Sequence, residues 1–180
     1  MQSQTILVTG GAGFIGSHLV DRLLTKEGVR VVVIDNFNNF YDPAIKRANI
    51  QSHLAHANYQ LLEADISDLA ALRELFADHS FDAIIHLAAR AGVRPSLEHP
   101  LLYEQTNVTG TLNLLELARQ FGVKRFVFGS SSSVYGDNPN APFREEYLPQ
   151  PISPEITVKP ALFITPNSSM ANASRWLWHQ

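Results

Sequence analysis

The sequence predicts an α/β fold, in which a doubly wound parallel sheet carries helices on both faces. Short runs of apolar, often β-branched residues alternate along the chain with segments whose apolar residues recur at helical spacing. Residues 31–34 are apolar at every position, as expected for a strand buried on both faces of a parallel sheet. Repeated strand-helix-strand units need right-handed crossovers, which distribute the helices over both sides of the sheet.

Strands and helices follow one another in order from the N-terminus. The first strand is predicted at residues 6–8, and glycines separate it from a helix over residues 14–24. Further strands are predicted at residues 31–34, 59–64, 83–87 and 126–128. Ser67 is predicted to cap a helix that includes residues 69–76. Pro100 suits a first helical turn, and the helix that it begins should end near Gly122.

The composition changes towards the C-terminal end. All ten glycines lie at or before Gly136, whereas seven of the ten prolines lie in residues 139–166. From residue 160 onward the sequence shows neither a helical stripe nor a strand-like alternation. We therefore expect a folded domain over residues 1–154, a divergent tail over residues 155–180, and a sheet that is incomplete on its C-terminal side.

Charge and composition exclude several classes of function. Fourteen basic and seventeen acidic residues give a net charge of -3, and no basic cluster marks a surface for nucleic acid or anionic membrane. The chain has no cysteine, so it has no disulfide, thiolate nucleophile or cysteine-ligated zinc. Neither a membrane-spanning apolar run nor a secretory signal is recognisable. These features predict a soluble, cytoplasmic protein without a nucleic-acid or membrane partner.

The strongest local motif lies between the first strand and the first helix, in the sequence TGGAGFIG at residues 9–16. It fits both Gly-x-Gly-x-x-Gly and Gly-x-x-Gly-x-x-Gly. Glycines at these positions permit a tight turn and let the backbone approach a pyrophosphate, which then faces the positive N-terminus of the helix. The motif therefore predicts a Rossmann-like dinucleotide site. The residues predicted to bind the cofactor here are Gly10, Gly13, Phe14, Ile15 and Gly16.

Asp35 lies at the end of the second predicted strand, nineteen residues after Gly16. A carboxylate at this position accepts hydrogen bonds from a ribose diol and repels a 2′-phosphate. No arginine immediately follows Asp35 that could bind such a phosphate. The sequence therefore predicts NAD rather than NADP as the cofactor.

The ends of the third and fourth strands supply further candidates. Asp65 and Ile66 can reach an adenine edge, although Asp65 is equally suited to a cap or turn before Ser67. His86, in the fourth strand, is interpreted as a packed histidine rather than a catalytic one. Small residues after it would let a dinucleotide lie against the backbone. This segment of the expected cofactor path consists of Leu87, Ala88 and Ala89.

Polar residues in the second half of the domain allow more than one interpretation. Asn107 lies within a predicted helix, although asparagine has a low helix propensity. We therefore expect it to form a buried structural hydrogen bond there. The serine run at residues 130–133 follows the fifth strand, where hydroxyls point into the ligand crevice, but such a run is also typical of a loop. His53 and His56 lie on a predicted helix without a third ligand, so we expect a solvated face and no metal site.

Four stretches together resemble a known family: residues 9–16, 35–37, 86–94 and 128–136. Their order and spacing resemble the extended short-chain dehydrogenase/reductase family of NAD-dependent sugar-nucleotide epimerases and dehydratases, and within it the UDP-glucuronate 4-epimerases. The resemblance covers most of residues 4–154. It implies NAD as cofactor and a nucleotide-sugar as substrate. It also implies a homodimer whose interface includes the helix that begins at Pro100.

The resemblance also implies roles for individual residues. The glycine loop would hold pyrophosphate, Asp35 and Asn36 would lie at the adenosine ribose, and Asp65 and Ile66 would border adenine. Asn107 would lie near the active site, and Arg94 on the side of the sugar nucleotide. Ser131 matches the catalytic Ser/Thr of the family through its spacing to the Val-Tyr-Gly sequence that follows it.

The remaining catalytic pair of the family, Tyr-x-x-x-Lys, is only half present. Glu155 stands where the tyrosine is expected, and Lys159 stands where the lysine is expected. No tyrosine in the chain has a lysine four residues later. The tyrosine normally deprotonates a sugar hydroxyl, while the lysine binds the nicotinamide ribose and lowers the pKa of the tyrosine. A carboxylate has an unperturbed pKa near 4.3 and is a weak base for that step.

These departures favour a truncated or frame-disrupted epimerase that retains an NAD-binding domain. We expect no measurable turnover of UDP-glucuronate by this chain. The ancestral reaction would be 4-epimerisation of the sugar through a transient 4-keto intermediate. Three alternatives stay open: a variant that uses Glu155 as the base, a non-catalytic NAD-binding half-domain, and a sugar-nucleotide dehydratase.

Overall fold

A single parallel sheet of five strands forms the centre of the molecule. The computed structural model describes residues 3–140, 142–144, 147 and 150. The strands are arranged side by side in the order β3-β2-β1-β4-β5, and every neighbouring pair is parallel. Their bounds are β1 Gln4–Thr9, β2 Val29–Asp35, β3 Tyr59–Glu63, β4 Ala83–His86 and β5 Arg125–Phe128. The predicted Rossmann-like, doubly wound fold is confirmed.

Helices connect successive strands and cover the sheet. They are α1 Phe14–Leu24, α2 Pro43–Ile50, α3 Leu69–Asp78, α4 Val93–Glu98, α5 Pro100–Tyr103 and α6 Gly110–Gln120. Between α5 and α6 the backbone forms a π-helical segment at Glu104–Thr109. A short 3-10 helix at Ser132–Tyr135 follows β5. None of the helices among the described residues has the length and apolarity needed to cross a bilayer.

Two apolar clusters lie on the opposite faces of the sheet. On one face, Leu7 and Val32 pack in a cluster with Leu72 of α3 and Leu114 of α6. On the other face, alternate residues of the same strands pack in a cluster with Val20 of α1. The strands are therefore apolar on both sides, which is why their sequences are apolar runs rather than alternating patterns.

The strand order reverses at β1, which pairs with β2 on one side and with β4 on the other. The chain moves outward from β1 to β3, returns to β4, and then moves outward again to β5. In open α/β sheets the carboxyl ends of the strands at such a reversal leave a crevice in which ligands bind. This topology determines where the candidate site lies.

Some local details differ from the sequence predictions. The N-cap of α3 is Asp68 and not Ser67, because the Asp68 carboxylate accepts hydrogen bonds from the backbone N–H groups of Ala70 and Ala71. Strands β3 and β4 each end one residue earlier than predicted, at Glu63 and His86.

The predicted solvated face at His53 and His56 is wrong for His53. Helix α2 ends at Ile50, before either histidine, and the His53 ring is buried. Its Nε2 lies 2.6 Å from a carboxylate oxygen of Asp21, and its ring packs against Tyr59. His56 is exposed. Within the part of the chain that the structure describes, no group of three or more His, Asp or Glu side chains could hold a metal ion.

Candidate functional site

A cavity of about 550 Å³ opens at the carboxyl ends of the strands, at the reversal between β1 and β4. The glycine loop after β1 and the ends of β2, β4 and β5 contribute to its wall. The lining includes most residues that the sequence singled out, namely Gly10, Gly13, Phe14, Ile15, Gly16, Asp35, Asn36, Ile66, Leu87, Ala88, Ala89 and Ser131. Asp65 and Asn107 are not among its lining residues.

The glycine loop forms a tight turn between β1 and α1. Gly10 has a φ of 71°, and a Cβ at this position would lie only 2.7 Å from the backbone nitrogen of Ala88. A Cβ on Gly16 would overlap the carbonyl oxygen of Gly10. The absence of side chains here brings the N-terminus of α1 against β1 and β4 and leaves that N-terminus beside the cavity.

The Asp35 carboxylate is buried at the end of β2 and accepts three hydrogen bonds from the protein. Its Oδ1 accepts from the backbone N–H of Phe37 at 3.0 Å and from Nζ of Lys46 at 3.0 Å, and its Oδ2 accepts from the N–H of Ala12 at 3.2 Å. Phe37 has a φ of 46°, which is unusual for a residue with a side chain. Asp35 therefore links the glycine loop, the turn after β2 and helix α2.

Lys46 belongs to the candidate site although no sequence motif indicates it. It lies on α2, lines the cavity, and forms a buried ion pair with Asp35. Its ammonium also lies 5.5 Å from the ring centroid of Tyr41. Lys46 and Ile50 are four residues apart and are the two buried residues of α2, so helical spacing was the available signal for an inward-facing lysine.

The Tyr41 side chain also lines the cavity, close to the glycine loop. Its hydroxyl lies 3.8 Å from where a Cβ on Gly13 would be. Burial raises the pKa of Tyr41, and the negative charge of Asp35 raises it further. The phenol therefore stays protonated near neutral pH and can act as a hydrogen-bond donor there.

The Asp65 carboxylate forms a turn at the end of β3. Its Oδ1 accepts hydrogen bonds from the backbone N–H and the hydroxyl of Ser67, and its Oδ2 accepts one from the side-chain amide of Asn36. Burial opposes ionisation, but these hydrogen bonds and the charge of Arg90 outweigh it and hold the pKa of Asp65 below its usual value. This geometry matches the turn alternative, while neighbouring Ile66 lines the cavity.

His86 is a packed strand histidine, as predicted. It is 1% exposed, and its ring nitrogens lie 2.6 Å from the Thr9 hydroxyl and 2.8 Å from the Thr111 hydroxyl. Thr9 Oγ1 accepts from the N–H of Ala88, and Thr111 donates to the Asn107 carbonyl. These contacts fit a ring in which Nδ1 accepts from the Thr9 hydroxyl and the Nε2 proton is donated to the Thr111 hydroxyl.

Asn107 forms the buried structural hydrogen bonds that its position in a helix predicted. Its side-chain oxygen accepts from the backbone N–H of Arg90 at 2.8 Å, and its amide donates to the Arg90 carbonyl at 3.0 Å. Asn107 lies in the π-helical segment and is 2% exposed. It thereby fixes the backbone that follows Ala89, and its effect on the cavity is indirect.

Ser131 lies at the end of the cavity formed by β5. Its hydroxyl donates to the hydroxyl of Ser133 at 3.1 Å and accepts from the backbone N–H of the same residue. These contacts orient the Ser131 side chain on the cavity wall. Glu155, Lys159 and the whole predicted tail at 155–180 lie outside the described residues.

Comparison with known proteins places this site in a family. The family profile described as GDP-mannose 4,6 dehydratase matches residues 7–156. A UDP-glucuronate 4-epimerase of Thermodesulfobacterium geofontis is 46% identical over 155 residues, which cover 85% of this chain and 47% of the relative. UDP-glucuronate 4-epimerase 4 of Arabidopsis thaliana is 45% identical over 143 residues, covering 79% of this chain and 32% of the relative.

Solved structures show the same fold. The UDP-glucuronic acid 4-epimerase of Bacillus cereus, in complex with UDP-glucuronic acid and NAD, aligns with a TM-score of 0.77 at 39% identity. That alignment covers 84% of this chain and 48% of the Bacillus chain. The UDP-Glc/GlcNAc 4-epimerase of Campylobacter jejuni aligns with a TM-score of 0.82 at 31% identity, over 96% of this chain and 51% of that chain.

The chain thus spans about half the length of the first of these curated relatives and of both solved structures. The family profile, in contrast, extends over most of the chain, from the first strand to the segment after the serine run. The protein therefore belongs to the GDP-mannose 4,6 dehydratase family, the epimerases and dehydratases of the extended short-chain dehydrogenase/reductase type.

Proposed function

We propose that this chain binds NAD and is the cofactor-binding part of a UDP-sugar 4-epimerase. The observation that carries the proposal is that the glycine loop and Asp35 line the same cavity, at the point where the strand order reverses. A Cβ on Gly10 or Gly16 would collide with backbone atoms, so only glycine permits the tight turn that brings the N-terminus of α1 beside the cavity. The residues present therefore fit a dinucleotide.

Each part of the cavity has a distinct task in this proposal. The backbone N–H groups at the start of α1 would donate to the pyrophosphate, aided by the helix dipole. Asp35 and Asn36 would hold the adenosine ribose. Ile66, Leu87 and Ala88 give the cavity an apolar wall against which the flat adenine ring can lie.

The catalytic part of the proposal rests on Ser131 and on two residues of the tail. Bound NAD supplies a hydride acceptor and donor for a sugar carbon. Ser131 Oγ would hold the hydroxyl at that carbon by hydrogen bonding, after its proton turns away from Ser133. Lys159 would bind the nicotinamide ribose. Glu155, in the place of the tyrosine base, is expected to leave the chain without measurable turnover.

The nucleotide-sugar substrate is proposed to be a UDP-sugar such as UDP-glucuronate. Several relatives and structural neighbours are named as enzymes that act on this substrate class. A sugar-nucleotide dehydratase is the alternative that the description of the matching family profile favours. A non-catalytic NAD-binding half-domain is the alternative favoured by Glu155.

A homodimer is part of the same proposal. Leu97, Leu101 and Leu112, on α4, α5 and α6, expose 62%, 81% and 46% of their surface. Large apolar side chains that are this exposed are candidates for a contact surface. Sedimentation of the purified protein tests this: a dimer is expected, and a monomer at micromolar concentration would contradict it.

Titration with NADH, followed by its fluorescence, tests cofactor binding. We expect saturable binding by the native protein. Gly16→Ala should bind NADH at least about tenfold more weakly, because the added methyl group collides with the backbone of the glycine loop and displaces it. Lys26→Ala, exposed just beyond the other end of α1, is the matched control and should bind like the native protein. Absence of NADH binding by the native protein would refute the proposal.

An assay for conversion of UDP-glucuronate to UDP-galacturonate tests whether the chain acts as a 4-epimerase without the family tyrosine. With NAD present, we expect no conversion above the background without protein. Clear conversion would mean that Glu155 or another group acts as base. Restoring the family tyrosine with Glu155→Tyr is the companion variant, and a gain of conversion would identify the missing base as the defect.

A further inference from the structure

The buried ammonium of Lys46 lies beside the carboxylate that is expected to reject a 2′-phosphate. We propose that Lys46 is a specificity-determining residue for the dinucleotide. Its ammonium would bind a 2′-phosphate, but the negative charge of Asp35 prevents this binding. The inference rests on the proposed binding of NAD and goes beyond it. It assigns the preference for NAD over NADP to a balance between two opposite charges rather than to Asp35 alone.

The geometry gives Lys46 access to the ribose position. Both Asp35 and Lys46 line the cavity, and Nζ lies 3.0 Å from Oδ1 of Asp35. An ammonium has three N–H donors, and the hydrogen bond to Asp35 uses one of them. The side chain is 8% exposed, so this charge is poorly screened by solvent. A ribose substituent that lies beside Oδ1 of Asp35 would therefore also lie close to the Lys46 ammonium.

The surrounding groups keep the ammonium at this place. The Tyr41 ring lies 5.5 Å from Nζ, and Asn49 of the same helix donates to the carbonyl of Ala12 in the glycine loop. Helix α2 is thus hydrogen-bonded to the glycine loop through Asn49 and to Asp35 through Lys46 itself. Neutralising Asp35 would leave a buried cation without its counter-ion at the ribose, and a phosphate dianion is a suitable replacement.

Arg47 provides an internal comparison. It is the neighbouring cation on α2, but its guanidinium forms a bidentate pair with Glu63, is largely exposed, and is not among the residues that line the cavity. A general effect of positive charge near the site would involve both residues. The proposal concerns Lys46 only.

The test compares NADH and NADPH affinities in Asp35→Asn and in the double variant Asp35→Asn/Lys46→Met. We expect Asp35→Asn to bind NADPH about tenfold or more tightly than the double variant does, because only the single variant keeps the cation. The NADH affinities of the two variants should differ much less. Equal NADPH affinities in the two variants would overturn the inference. Arg47→Met in the Asp35→Asn background is the control and should leave NADPH binding unchanged.

A second comparison covers the case in which Asp35→Asn does not fold, which circular dichroism would reveal. Lys46→Met alone should raise the preference for NADH over NADPH by about tenfold, because it removes the cation that would attract a 2′-phosphate. An unchanged preference would refute a role for Lys46. Failure of the native protein to bind NADH would refute the proposed function itself, and the Lys46 inference with it.

Discussion

At the scale of single residues, the site is organised by buried polar groups that satisfy one another. Asp35 and Lys46 form a buried ion pair, and His86 bridges the hydroxyls of Thr9 and Thr111. Buried polar groups are costly unless they are hydrogen-bonded, so such arrangements hold their members in one conformation. Removing one partner of the ion pair should cost about 3–5 kcal/mol, because the other charge would be left uncompensated.

Replacing His86 tests the importance of the bridge between β1 and α6. His86→Ala should lower the free energy of unfolding by about 2–4 kcal/mol, because it leaves a cavity and deprives two buried hydroxyls of a partner. Urea denaturation measures the change. His99→Ala, at an exposed histidine, should stay within about 0.5 kcal/mol of the native protein. Equal effects of the two substitutions would contradict the structural role of His86.

The lowered pKa of Asp65 predicts a dependence of stability on pH. A carboxylate whose folded-state pKa lies below its unfolded value contributes stability above the unfolded pKa, and the contribution is lost as pH falls through the folded pKa. Stability should therefore fall below about pH 4, the usual range of aspartate. In Asp65→Asn this fall should be shallower, as measured by urea midpoints between pH 6 and pH 3. Parallel pH profiles for the two proteins would count against it.

Residues that belong to a motif could be predicted, and residues brought in by the fold could not. Spacing from Gly16 identified Asp35, because the motif relates two consecutive strands of one unit. Lys46 lies in no motif, and its contact with Asp35 depends on how α2 packs over the glycine loop. Asp65 had two interpretations in the sequence because both need a carboxylate at the end of a strand, and the contacts with Ser67 and Asn36 show its role in the turn.

At the scale of secondary-structure elements, the π-helical segment at Glu104–Thr109 is the main irregularity. The sequence predicted a continuous helix after Pro100, and periodicity alone cannot show one extra residue in a turn. The segment brings Asn107 to the backbone of Arg90, immediately after the small residues of the cavity wall. Single π-helical turns inside helices are frequent at functional sites.

Substitution of Asn107 tests this link between helix and cavity wall. Asn107→Leu keeps the approximate volume but leaves the N–H and carbonyl of Arg90 without the partners seen here, which should cost about 2–4 kcal/mol. Hydrogen exchange at the Arg90 amide should accelerate more than exchange in β1. Gln105→Ala, exposed in the same segment, should change neither quantity. Unaltered exchange at Arg90 in Asn107→Leu would show that the link is unimportant.

At the scale of the whole molecule, the described residues form one five-stranded sheet with one candidate site at its reversal point. The parallel sheet, its two apolar faces and the glycine-loop site after the first strand could be predicted from the sequence, because they follow from alternating elements and one motif. The order of the strands comes from the structure alone. The described part of the chain contains the glycine cradle, Asp35 and Ser131. We therefore expect this chain to bind the cofactor, whether or not it catalyses a reaction.

Thermal unfolding of the purified protein with and without NAD tests this expectation most directly. Binding to the folded state at a hundredfold excess over the dissociation constant adds about 2.7 kcal/mol, which should raise the Tm of a chain of this size by about 5–10 °C. We expect a cooperative transition with such a shift, and a much smaller shift for Gly16→Ala. A cooperative transition that NAD does not move, or a broad transition in both conditions, would contradict it.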